Sequence, residues 1–111
     1  MKARALPQSP EELLEALFAI FPEYRARYSP IHDDGPSYHS VLIAFSTLFD
    51  AASCSQEQLR AFGALISEAV AQEGELENAF GTCLLEHLHQ IKGEHVLRPY
   101  LSKTAREKTH A

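Results

Sequence analysis

Apolar residues recur along this chain at helical spacing, and the punctuation between the runs is clear. Ser9-Pro10-Glu11-Glu12 reads as a helix start, with Ser9 as N-cap, Pro10 at the first helical position and Glu12 closing a capping box. Leu13, Leu14, Leu17, Phe18, Ile20 and Phe21 follow as one broad apolar face, which Pro22 interrupts before a short turn over 23–28. Residues 29–37, dense in turn formers, form the longest loop. The spacing predicts a second helix from about Tyr38 to Ala52, with Tyr38, Val41, Leu42, Phe45, Leu48, Phe49 and Ala52 on its inner face. Ser55 and Gln58 make a second capping box, opening a third helix that carries Leu59, Phe62, Ile66, Ala69 and Val70 inward. Gly74 ends it.

The run from Glu75 to Ile91 reads as one long fourth helix, stopped by Gly93. At about 100° per residue, Leu76, Phe80, Cys83, Leu84, His87 and Ile91 share a face, with Asn78, Thr82, Glu86 and His89 along the other. A short segment, His95 to Leu101, follows, and nothing reads as a strand. The expected fold is therefore all-α: an antiparallel bundle of four main helices with a short C-terminal helical segment. Its limits are a flexible N-terminus over 1–9, a helical domain over 10–101 and a basic, frayed tail over 102–111.

Three large apolar residues fall off the main stripes: Ile43, Leu65 and Leu85. A central fourth helix, buried on two sides, accounts for Leu85. Ile43 and Leu65 are candidates for a self-association surface, and the expected state is a homodimer.

A length of 111 residues sets a single domain, and 45% hydrophobic with 23% charged residues is ordinary for a globule. No apolar run approaches the ~20 residues that span a bilayer, and residues 1–10 lack the apolar core of a signal peptide. Two cysteines without CxxC spacing suggest reduced thiols, so the expected location is the cytoplasm. Charge is uneven: residues 5–97 carry −10, and the two ends +5. An acidic body argues against nucleic acid, which needs clustered bases, and suits a basic protein partner.

The candidate chemistry is sparse. Cys83 and His87 lie four apart, a spacing that suits a metal pair or a thiolate–imidazole pair. Closing a metal site would need further ligands, of which His32, Asp33 and His39 are the available types. The favoured reading is structural, with Cys83 as a small core residue and His87 buried, neutral and hydrogen-bonded. Glu86-x-x-His89 has the form of a di-iron half-site, but the other copy, Glu107 to His110, falls in the tail. A helix-turn-helix across Gly74 fails because Glu75, Glu77 and Glu86 stand where bases are needed. No nucleophile elbow or phosphate loop occurs, so no catalytic residue and no cofactor is expected.

The stretch from Asn78 to Leu88 resembles a family of small, uncharacterised bacterial all-helical proteins of unknown function. The likeness extends over 75–101 and includes the Phe-Pro-Glu at Phe21 to Glu23. It implies a bacterial origin, and Asn78, Thr82, Glu86 and His87 as structural polar anchors of the central helix. The function these readings favour is a non-enzymatic protein-interaction module, accessory, regulatory or immunity-type. The alternative is a helical bundle binding a metal or small molecule through Cys83, His87 and the region from His32 to His39.

Overall fold

The computed structural model describes residues 7–28, 37–72, 74–85 and 93–107, with the backbone alone at 82, 83 and 94. Among these residues the chain is all-α. The helices are α1 (Pro10–Ile20), α2 (Tyr38–Leu48), α3 (Gln56–Val70), α4 (Glu75–Phe80), α5 (Glu94–Leu97) and α6 (Lys103–Glu107). Tight 3₁₀ turns at Pro22–Tyr24, Ala51–Ser53 and Arg98–Tyr100 connect or extend them.

Helix starts follow the side-chain caps closely. The Ser9 hydroxyl accepts from Glu12 N–H at 3.1 Å, while the Glu12 carboxylate accepts from Gln8 N–H at 2.9 Å, one residue before the cap. Ser55 and Gln58 form the full reciprocal box at 3.0 and 3.1 Å. The Gln58 amide also donates to Ile20 O at 3.1 Å and to the Glu23 carboxylate, so one side chain starts α3 and binds it to the end of α1. A third box, Ser37 with Ser40, opens α2. It escapes a search for Glu or Gln at the third position.

Two helices depart from the regular run that the periodicity predicts. Helix α2 stops at Leu48 rather than Ala52, because Phe49 turns extended and Asp50 caps a new turn through Ala52 N–H at 3.1 Å. The hydroxyls of Ser46 and Thr47 donate to carbonyls three residues back, at 2.8 Å each, in the last turn of α2. Helix α4 gives way at Gly81 to a π-helical turn, Gly81–Leu85. Gly and Thr are weak helix formers, which lowers the cost of leaving α geometry there. The wider turn brings residues five apart onto one face, so Phe80, Leu84 and Leu85 are all fully buried. That phase slip is why Leu85, off the stripe in a regular helix, still enters the core.

Helix α1 packs on α2 and α3, α4 packs on both α2 and α3, and the π turn touches α2 and α6. At the middle of the core lies a cluster of rings: Phe21, Phe45, Phe49 and Phe62, with centroids 5.1–5.5 Å apart, and Tyr24 against two of them. Tyr24, Phe45 and Phe62 come from three elements, and Phe21 and Phe49 from just past the ends of α1 and α2.

The segment assigned above to a basic tail contains α6, with Ala105 fully buried against the body. Ser102 Oγ caps α6 through Ala105 N–H at 3.1 Å, and Ser102 N–H donates to Ser67 Oγ on α3 at 2.9 Å. Gly63 makes this docking feasible. A Cβ there would stand 2.5 Å from Tyr100 O and 2.6 Å from Tyr100 Cβ. We expect Gly63→Ala to destabilise the fold by about 1–3 kcal/mol through overpacking, despite the better helix propensity of Ala. Urea denaturation reads this directly, and a variant as stable as wild type would show that Arg98–Tyr100 does not sit on α3.

Candidate functional site

Two surface depressions are formed by side chains whose placement can be traced to local structure. The larger, about 580 Å³, lies where α2 ends, between Tyr24, Arg27, Ser46, Thr47, Asp50 and Ser53. Its polar atoms are largely engaged in building the turn. Asp50 accepts from Ala52 N–H at 3.1 Å and from the Ser53 hydroxyl at 3.1 Å. Cys54 Sγ donates to Asp50 O at 3.4 Å, and Asp50 N–H makes a long contact of 3.4 Å to Tyr24 Oη. Burial pushes both the Tyr24 phenol and the Cys54 thiol above their ordinary values. The nearby carboxylates of Glu23 and Asp50 push the thiol the same way. Both groups therefore stay protonated at neutral pH, and a neutral thiol is a poor nucleophile.

That arrangement has a measurable consequence. The folded state holds these protons more tightly than the unfolded chain, so the stabilisation is fully present below the thiol's ordinary 9.0. It is lost as pH rises through the higher folded value. We expect the urea midpoint to fall more steeply as pH rises above the ordinary thiol value of 9.0 in wild type than in Cys54→Ala. Parallel slopes for the two proteins would show that the thiol is not held protonated by the fold.

The second depression, about 280 Å³, runs along the outer side of α3. Ala61, Ala64 and Leu65 line it, and Glu57, Arg60 and Glu68 form its rim. It exists because α3 presents the small Ala61 and Ala64 between its charged residues, leaving the helix backbone approachable. Leu65, at 3% exposure, contributes only its edge to this groove and otherwise belongs to the core.

The structure places the residues singled out in the sequence unevenly. Ile43 stands out at 43% exposure on α2, whereas Leu65 is buried within the monomer, so the reason given for grouping the two does not hold for Leu65. Asn78 is exposed on α4, where its N–H donates to Gly74 O at 3.1 Å. Thr82 and Cys83 lie on the π turn, and His39 is half-buried in the first turn of α2. His32, Asp33, Glu86, His87 and His89 lie outside the described residues. Among the described residues no three His, Cys, Asp or Glu side chains come together as a metal site would need. Among them, too, no helix is long and apolar enough to cross a membrane.

Sequence reasoning missed the linkage of Tyr24, Asp50 and Cys54, although Asp before Ala-Ala-Ser is a recognisable cap signal. It also missed the α3 groove, for which the signal was the pair of small residues Ala61 and Ala64 set between Arg60 and Glu68. Comparison of the chain with protein-family models, curated proteins and solved structures finds no match.

Proposed function

We propose that this chain is a non-enzymatic protein-interaction module of a bacterial cytosol, of accessory, regulatory or immunity type, and that the α3 groove is where a protein docks. The observation that carries this reading is the groove itself: small apolar residues on an outward helix face, rimmed by Glu57, Arg60 and Glu68. Such a floor with a charged rim has the layout of a protein contact, whose core is apolar and whose edge is polar. The resemblance over Asn78 to Leu88 supports the bacterial assignment. For the helices, the reading is an antiparallel bundle of α1 to α4, supported by the short link between α3 and α4.

The test compares wild type with Ala64→Arg, which fills the groove at an exposed position. Each tagged protein is expressed in the native host, and the proteins retained with it are identified by mass spectrometry. A specific protein held by wild type and lost from Ala64→Arg is the expected result. Recovery of the same proteins in equal amounts with both would overturn the reading.

A further inference from the structure

The α3 groove can be carried one step further, to the identity of what it accepts. Arg60, Ala64 and Glu68 are spaced four apart and so form one ridge along α3, with all three exposed. Among the described residues, neither Arg60 nor Glu68 makes an ion pair. Two helical turns separate them, too far for each to neutralise the other. The ridge therefore carries a positive end, a small centre and a negative end.

Such a ridge is complementary to itself when reversed. We propose that it docks against a second copy of this chain, the two α3 helices running antiparallel about a twofold axis beside Ala64. The axis then sets Arg60 against Glu68 of the partner subunit, and Glu68 against Arg60 of the partner subunit. Rows of residues four apart pack side by side in the commonest class of helix crossing, and Ala at the centre lets the axes come to the short end of the usual 8–10 Å. Closed twofold contacts are the commonest form of self-assembly, and one such contact uses each charged pair twice. Reversal about Ala64 also sets Glu57 opposite Ala71, so no acid on this face meets another acid. The inference rests on the reading of the groove as a protein-docking surface and names the occupant.

The contact is small. Helix α3 has 15 residues, about 22 Å of length, which puts the interface at the low end of specific complexes. A reversible dimer with a dissociation constant on the order of 100 µM is expected.

Sedimentation equilibrium at fixed ionic strength, from about 10 µM to 1 mM, is the experiment, with far-UV circular dichroism confirming that each variant folds. Wild type should show a concentration-dependent mass. Arg60→Glu and Glu68→Arg should each weaken association by at least about tenfold, because each places like charges together at two sites. The double variant R60E/E68R restores opposite charges and should return to within about threefold of wild type. A monomeric wild type throughout, a dimer indifferent to either reversal, or a double variant no better than the singles would each overturn the proposal. The broader reading fails separately, since a monomeric wild type that still loses a captured host protein on Ala64→Arg leaves the groove a docking surface for a different protein.

Discussion

Replacing Phe21 with Ala should cost about 3–5 kcal/mol of stability, the largest loss expected from any single truncation here. Phe21 has no exposed surface and sits just past the end of α1, where its N–H still donates to Leu17 O at 2.8 Å. Its ring stands 5.3–5.6 Å from those of Tyr24, Phe45, Phe49 and Phe62. Edge contacts of this kind add to the burial term, and removing one ring leaves four others facing a void that cannot collapse. Domains of this size are stable by roughly 5–15 kcal/mol, so the variant should be partly unfolded well below the wild-type midpoint. Phe21→Leu, which refills most of the volume, should recover more than half of the loss. Urea denaturation followed by far-UV circular dichroism measures both. A loss below about 1 kcal/mol for Phe21→Ala would mean that the ring cluster is not the centre of the core.

Gly93→Ala should cost about 2–4 kcal/mol, from two sources that can be separated. The backbone at Gly93 has φ +71°, in the left-handed region that side chains disfavour. A Cβ there would also stand 2.5 Å from the backbone N of Ala52 and 2.9 Å from its Cβ. The neighbouring turn, Ala51–Ser53, is held by Asp50 and packs against α5, so it has little room to retreat. Asn tolerates left-handed backbone better than Ala but collides with Ala52 in the same way. Gly93→Asn should therefore recover no more than the backbone part of the loss and stay clearly less stable than wild type. Recovery of most of the stability with Asn would show that backbone strain, and not the close approach to Ala52, is what requires glycine.

These two positions also show how far the sequence could be read. Gly93 was legible as a turn position, because a glycine after an apolar run commonly takes left-handed backbone. Its contact with Ala52, some forty positions earlier, was not, since no local pattern encodes which turn will lie beside it. Phe21 was legible as part of an apolar face. Its role at the meeting point of five rings depends on α2 and α3 arriving from elsewhere in the chain.

The candidate site divides in the same way. The caps at Ser9 and Ser55, and the apolar faces of α1 to α3, follow from residues within a few positions of one another, so the chain by itself determined an all-α fold and where most helices begin. The early end of α2, the π turn at Gly81–Leu85 and the docking of α6 answer to tertiary demands. Burying Leu84 and Leu85 together outweighs ideal helix geometry at the π turn, and α6 closes the body through Ala105. The fate of Leu65 follows the same logic. A stripe drawn on one helix set it outside, but a helix packed against α1, α4 and α6 has a wider inner face than its own periodicity suggests, and only that packing decided that Leu65 goes in while Ala61 and Ala64 stay out as the floor of a groove.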